Sequence, residues 1–170
     1  MLGFPGMPER APKGQSEVRI RLAGPEDMES VRTIFAEYAS EIGIDLSFQG
    51  FDDELRSLPG KYQAPEGCIV LAFVDGTIAG CAALRPLEGD RCEMKRLFVR
   101  DFAKGRGAGK ALANKVLDEA RGRGYRFIRL DTLPSMAKAQ GIYKSLGFYE
   151  IGPYVYNPIA GSVFMEKKLR

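Results

Sequence analysis

The chain has 170 residues, a net charge of +3 and no histidine. The length fits one domain with a sizeable core, and the missing histidine excludes Ser-His-Asp and Cys-His catalysis and histidine-based zinc sites, leaving carboxylates, Lys, Tyr or water chains as general bases. The mild charge argues for solubility rather than a broad nucleic-acid-binding face, and no apolar run reaches the roughly 20 residues of a membrane span.

Met1 to Gln15 is rich in Pro and Gly and lacks the long apolar segment of a signal peptide. Residues 1–16 therefore read as a mobile tail ahead of a single domain, residues 17–170. Glu17 to Leu22 alternates Val18, Ile20 and Leu22 with charged residues, the pattern of a half-buried strand. Pro25-Glu26-Asp27 opens a helix as first turns prefer, with the apolar stripe Met28, Val31, Ile34, Phe35 and Tyr38 and a stop at Gly43. Phe51 to Leu58 predicts a short second helix before Pro59-Gly60.

Cys68 to Val74 is a continuous apolar run and predicts a central strand. Asp75-Gly76 is a two-residue hairpin turn, and Thr77 to Leu84 returns as the next strand. A turn over Pro86 to Asp90 leads into a third strand of this meander, Arg91 to Val99. Cys68, Cys81 and Cys92 are odd in number, widely spaced and set in apolar runs, as for buried free thiols in a reducing cytoplasm. Cys92 as a nucleophile has no local base.

Beyond Val99 a turn delivers Gly105, Gly107 and Gly109 to the start of an amphipathic helix with Leu112, Ala113, Val116, Leu117 and Ala120 on one face. Strand, glycine turn and helix N-terminus together make an anion cradle, because backbone N–H groups point outward there and the helix dipole favours negative charge. The charge agrees: Lys95, Arg96, Arg100, Lys104, Arg106 and Lys110 face only Asp101 in this stretch. A plain helix start accounts for the glycines equally well. The P-loop pattern fails because Ala111 follows Gly109-Lys110, and the dinucleotide fingerprint fails because position 112 is Leu.

The remainder reads as a strand from Phe127 to Leu130 ending at Asp131, a helix capped by Ser135 with Met136, Ala139, Tyr143 and Leu146 on one stripe, a stop at Gly147, a strand from Phe148 to Ile151, an aromatic loop from Gly152 to Gly161, and a last strand from Ser162 to Leu169.

Lys104-Gly105-Arg106-Gly107-Ala108-Gly109 resembles the phosphate loop [Q/R]-x-x-G-x-[G/A] of the GNAT superfamily of acyl-CoA-dependent N-acetyltransferases, with Lys in place of Gln or Arg at the first position. Lysine still brings charge to a phosphate but no bidentate fork. Ala139-x-x-x-Tyr143-x-x-x-Gly147-Phe148 resembles a second family segment, N-x-x-A-x-x-x-Y-x-x-x-G-F, with Met136 where the Asn falls. The resemblance runs from Val18 to Leu169. It implies an α/β fold with a GNAT-type mixed, mostly antiparallel central sheet flanked by helices on both faces. It implies acetyl-CoA as co-substrate and no metal.

It also implies roles. Leu97, Phe98 and Val99 would offer a strand edge to the amide-rich pantetheine arm, from which a following strand splays away. A backbone N–H near Leu97 or Phe98 would polarise the thioester carbonyl. Lys104, Gly105, Arg106, Gly107, Ala108, Gly109 and Lys110 would cradle the phosphates, with Ser135 and Ala139 completing the cofactor site and Ser135 standing in for the family's Asn. Glu93, eleven residues before Lys104, falls where many members carry a catalytic base; it could otherwise be a strand carboxylate paired with Lys95 or an Arg. Tyr143 would protonate the departing thiolate, or else serve as a core aromatic. The acceptor pocket would draw on the first two helices and the loop before the last strand: Tyr38, Glu41, Phe48, Gln49, Tyr154, Tyr156 and Asn157. The two loop tyrosines fit a shaped pocket and a cover over the core equally well. Arg85 or Arg91 could bind an acceptor carboxylate, with nothing to choose between them.

The leading expectation is an N-acetyltransferase acting on a small-molecule amine or amino acid, cytoplasmic, without nucleic acid or membrane partners, with a homodimer allowed by the resemblance. A protein Lys or N-terminal acetyltransferase is the alternative, followed by a non-catalytic acyl-CoA-binding module.

Overall fold

The computed structural model describes residues 17–170, and the tail expected over residues 1–16 lies outside them. The alternating and apolar runs form strands β1 (Val18–Leu22), β2 (Cys68–Val74), β3 (Thr77–Pro86), β4 (Arg91–Val99), β5 (Phe127–Thr132), β6 (Tyr149–Ile151) and β7 (Val163–Lys168). The helices are α1 (Met28–Ile42), α2 (Phe51–Ser57), α3 (Ala108–Gly122) and α4 (Ala137–Ser145). The strands make one open sheet in the order β1-β2-β3-β4-β5-β7-β6. Only β4 and β5 pair in parallel; every other neighbour is antiparallel. Asp75 and Gly76 both take positive φ, as a tight hairpin between β2 and β3 requires.

The sheet buries both faces. On one, Val70, Leu84, Cys92, Met94 and Ile128 pack with Leu112, Val116 and Leu117 of α3 and Tyr143 of α4. On the other, Ile69, Leu71, Cys81 and Ala83 pack with Val31, Ile34 and Phe35 of α1, Phe51 of α2 and Tyr62. This is the mixed sheet with helices on both faces that the resemblance implied. Among the described residues no helix is long and apolar enough to cross a membrane.

Element ends differ from expectation in three places. α1 is preceded by a 3-10 turn over Pro25–Asp27, where the Asp27 carboxylate accepts the Gly24 N–H at 2.8 Å and pairs with Arg21 at 2.6 Å. β5 continues two residues beyond Leu130 because Asp131 and Thr132 pair with Phe164 and Val163 of β7. Ser135 does not cap α4. Met136 takes the cap position without a side-chain hydrogen bond, and its N–H donates to Leu133 O, so a backbone turn sets the helix start instead of the serine hydroxyl.

The middle of β4 positions the site. Cys81 pairs with Phe98 and Ala83 with Lys95, so Arg96 and Leu97 together oppose Ala82. This is a β-bulge, and Arg96 adopts a φ of 62° within it. The bulge breaks the two-residue alternation. Met94 packs toward α3 and α4, but Arg96, two residues on, turns to the opposite face. Leu97 and Val99 return to the α3 and α4 side, and Phe98 to the α1 side.

A left-handed backbone at a side chain as large as arginine costs on the order of 1–3 kcal/mol and persists only where the surroundings over-determine it. They do here. Arg96 donates to both carboxylate oxygens of Glu54 at 2.9 and 3.0 Å and to Gln49 Oε1 at 2.8 Å. Its guanidinium lies 5.2 Å from the Phe51 ring centroid and 5.6 Å from that of Tyr38. Glu54 also accepts from the Tyr62 hydroxyl at 2.9 Å and pairs with Lys61 at 2.9 Å. Burial alone would raise the Glu54 pKa, but the hydrogen bonds and charge of Arg96 and Lys61 overcome it and hold the group at about 2.

Glu54→Gln leaves the Arg96 charge buried without its counter-ion. It is expected to lower unfolding free energy at neutral pH by about 3–5 kcal/mol in urea titrations. Because folding depresses this pKa from 4.5 to about 2, the contribution is complete above 4.5 and is lost as pH falls toward 2. Wild-type stability should therefore decline over that interval more steeply than that of the variant.

Candidate active site

Parallel pairing between β4 and β5 covers only Arg91–Phe127, Cys92–Ile128 and Glu93–Arg129. Past that point the strands part, and among the described residues β4 has no strand partner on its β5 side. The opened edge leads to two clefts that share Leu97, Met136 and Ala139.

The first cleft is a groove of about 630 Å³, open to solvent, along Leu97, Phe98, Val99 and the glycine turn. Lys104, Gly105, Gly107, Ala108, Gly109 and Lys110 line its far end, and Ser135 and Ala139 its wall. Gly105 and Gly107 take φ of 80° and 78°, a conformation that is natural only to glycine. Gly107 is the residue before α3, whose first-turn N–H groups have no intrahelical acceptor. A Cβ on Gly109 would come within 3.1 Å of Ile142 Cδ1, so this glycine lets α4 close against the start of α3. A groove with a free strand edge at one end and a helix N-terminus with a nearby lysine at the other fits a long ligand with amides in its middle and phosphates at its tip.

Two basic residues sit differently from expectation. The Lys104 ammonium is paired with Asp101 at 2.6 Å and Glu41 at 3.2 Å, so its charge is already compensated. Arg106 is exposed and does not line the groove. Glu41, expected near the acceptor, belongs instead to this groove as the partner of Lys104.

The second cleft is narrow, with a volume of about 40 Å³, and lies between α1, the Ser47–Gln49 turn and the parted strands. Tyr38, Phe48, Gln49 and Asn157, four of the expected acceptor residues, line it, as do Lys95, Arg96, Asp131 and Tyr143. Tyr156 is exposed and reaches the site only by packing edge-on against Phe48, with ring centroids 6.4 Å apart. That contact joins two loops over the cleft. Tyr154 does not line the cleft. Its hydroxyl donates to Glu93 Oε2 at 2.6 Å, while its ring packs on Phe164 and Arg129.

Glu93 is 1% exposed and is absent from the lining. Besides Tyr154, it is approached by Arg85 and Lys95, both at 3.7 Å from Oε1. The acid is thus enclosed by a phenol and two cations, and an acceptor in the cleft reaches it only through an intervening group. Burial, then the adjacent Glu93 charge, push the Tyr154 pKa far up, so this phenol keeps its proton. Tyr143 is 6% exposed with its pKa raised by burial, and among the described residues its hydroxyl has no hydrogen-bond partner. Arg91, the other arginine considered for an acceptor, lies over the Phe127 ring away from the cleft.

Two lining residues carried no role in the sequence reading. Asp131 sits where β5 has left β4, and its carboxylate accepts from Asn157 at 2.9 Å. Its signal was a carboxylate at the end of a strand beside a glycine-turn strand. Lys95 shares the Glu93 face of β4, two residues on, and strand alternation alone would have placed it there.

The acetyltransferase (GNAT) family profile matches residues 28–148. An uncharacterized N-acetyltransferase of Schizosaccharomyces pombe is 38% identical over 147 residues, covering 85% of this chain and 90% of that protein. Human N-acetylaspartate synthetase is 37% identical over 101 residues, covering 58% of this chain and 33% of that protein. Among solved structures, a GNAT-family acetyltransferase of Staphylococcus aureus Mu50 aligns with a TM-score of 0.75 at 22% identity over 91% of this chain and all of that one. A Salmonella typhimurium acetyltransferase, solved with its cofactor acetyl-CoA, aligns with a TM-score of 0.64 at 20% identity over 90% and 94% of the two chains.

The two buried phenols should separate in stability measurements. Tyr154→Phe removes a hydrogen bond to a buried carboxylate and is expected to cost about 1.5–3 kcal/mol in chemical denaturation. Tyr143→Phe removes a hydroxyl with no protein partner and should change stability by less than about 0.5 kcal/mol.

Proposed function

The chain belongs to the GNAT acetyltransferase family, and from that premise we propose that it transfers an acetyl group from acetyl-CoA to a primary amine of a small molecule or amino acid. The observation that carries this reading is the parting of β4 from β5, which opens a strand edge along the groove at the point where the acceptor cleft joins it. The human relative's name speaks of an acetylated amino acid, which supports a small acceptor. So does the Phe48–Tyr156 contact, which narrows the cleft against a protein tail. The three buried free thiols suit a reducing cytoplasm.

Acetyl-CoA, when bound, supplies a thioester carbonyl open to attack by a neutral amine. The first-turn N–H groups of α3 and the Lys110 ammonium would hold its phosphates, with Lys104 a weaker contributor because Asp101 and Glu41 already compensate it. The β4 edge at Leu97, Phe98 and Val99 would pair with its amides, and an N–H from Leu97 or Phe98 would take negative charge developing on the carbonyl oxygen. Tyr143 would donate its proton to the departing sulfur; its unpartnered hydroxyl and raised pKa suit a donor that stays protonated until the thiolate forms. Glu93 would receive the proton of the attacking amine. Since neither Glu93 nor its donor Tyr154 lines the cleft, that proton would reach the carboxylate through water.

Asp131 offers a second reading for the base, favoured by its place on the cleft wall where Glu93 has none. Protein amines and a non-catalytic acyl-CoA module remain the alternatives that assays would reveal.

Acetyl-CoA at 100 times its Kd should add about 2.7 kcal/mol of stability, seen as a rise of about 5–10 °C in Tm, and ATP should not. Absence of that shift would overturn the enzyme reading. Glu93→Gln is expected to lower kcat by about 10²-fold or more in a thiol-release assay on an amine panel, with the acetyl-CoA shift retained. Full activity in Glu93→Gln beside loss in Asp131→Asn would transfer the base role to Asp131.

A further inference from the structure

Lys95 is a buried cation left without hydrogen bonds. Its side chain is 9% exposed and lines the acceptor cleft. Its closest carboxylate, Glu93, stands at 3.7 Å, beyond hydrogen-bonding reach. Glu93 is meanwhile supplied by the Tyr154 hydroxyl at 2.6 Å, and Arg85 stands at the same 3.7 Å as Lys95 from its other oxygen, so the two cations share one carboxylate. Among the described residues no group accepts from the Lys95 ammonium.

An ammonium in that position has three donors and a desolvation cost that no hydrogen bond from the described residues offsets. Burial, first of all, depresses its pKa, against the opposing pull of Glu93 and Asp131, while Arg96 and Lys61 add to the depression. The neighbouring charges do not cancel it. Glu54 is taken by Arg96 and Lys61, and the single Glu93 is shared between Lys95 and Arg85, whereas Asp131 has no ion pair among the described residues. Asp131 accepts from Asn157 on the cleft wall.

We propose that the acceptor is an amino acid or other amino carboxylate, whose carboxylate is received by Lys95 and whose amine is drawn toward Asp131. This rests on the transferase reading above and names its substrate class. Arg96 also lines the cleft, but its charge is compensated by the two-point pair with Glu54, so Lys95 is the cleft cation without a carboxylate in hydrogen-bonding contact. That matches a singly charged carboxylate better than a phosphate dianion. Arg85, considered from the sequence, is not among the lining residues. Lys95 is a binding and specificity residue here, not a proton carrier.

Two measurements test this. In the first, matched pairs of amino acids and their amides are compared as acceptors by thiol release. The wild type should favour the free acid by about tenfold or more in kcat/KM, mostly through KM. In Lys95→Met the ratio should collapse toward one, and Lys95→Arg should restore part of it. An undiminished tolerance of amides by the wild type, or a preference that survives Lys95→Met, overturns the proposal. In the second, binding of an N-acetyl amino acid and of its N-acetyl amide is measured by calorimetry, without turnover. Tighter binding of the acid, lost in Lys95→Met while the acetyl-CoA thermal shift persists, supports the proposal. Equal binding of acid and amide overturns it. Preferential binding of the acid with no turnover on any acceptor would instead count against the transferase reading and leave the Lys95 contact standing.

Discussion

The ion pair between Arg96 and Glu54 is the constraint on which the rest of this molecule depends. A bulge in the middle of a buried strand needs a reason to stay where it is, since a regular ladder would satisfy more backbone groups. Arg96 provides it by reaching across forty-two residues to a carboxylate on α2 that is itself held by Tyr62 and Lys61. Such a pair adds little net stability compared with a well-packed apolar substitute. Its effect is positional: it sets the phase of β4 beyond Lys95, so that Leu97 and Val99 face the α3 and α4 side while Phe98 faces α1. It also ties α2 and the Ser47–Gln49 turn, which would otherwise be surface elements, to the floor of the acceptor cleft.

The two clefts divide the labour. The groove is built mainly from backbone, namely a free strand edge, a glycine turn and a helix start, and it can therefore hold an amide-rich, phosphate-bearing ligand with little demand on side chains. The acceptor cleft is the reverse. Its walls are individual side chains from α1, the Ser47–Gln49 turn, the bulge, the end of β5 and the loop before β7, and they carry charges of both signs. Such a wall can be altered by point substitutions without disturbing the groove.

The same division decides what could be read from the sequence. Backbone devices leave local marks. The glycines of the turn, the Asp75-Gly76 hairpin, the apolar run of β2 and the stripe of α3 each lie within a short window, and each stands where that window puts it. Long-range side-chain meetings leave none. Nothing in the text around Arg96 marks it for a left-handed backbone, because the strain is borne by Glu54 on another element. Tyr154 looked like a pocket residue, but sixty-one residues separate it from the Glu93 that claims its hydroxyl. Lys104 lines the groove as its motif suggests, but its pairing with Glu41 of α1, sixty-three residues away, has no local mark. Ser135 was a reasonable helix cap by type, yet the turn from Leu133 to Met136 fixed the helix start without it.

The three cysteines acquire a meaning from their burial. Cys81 and Cys92 are fully covered and Cys68 nearly so. Burial lifts the Cys68 thiol to about 11 and the other two further still, so almost no thiolate exists at neutral pH. An acetyl-CoA-dependent transferase works in the steady presence of its own by-product, a free thiol, and of the disulfides that thiol forms on oxidation. Exchange with those disulfides requires an accessible thiolate on the protein. The described cysteines present none, so this chain would be chemically silent toward the thiol that the proposed transfer releases.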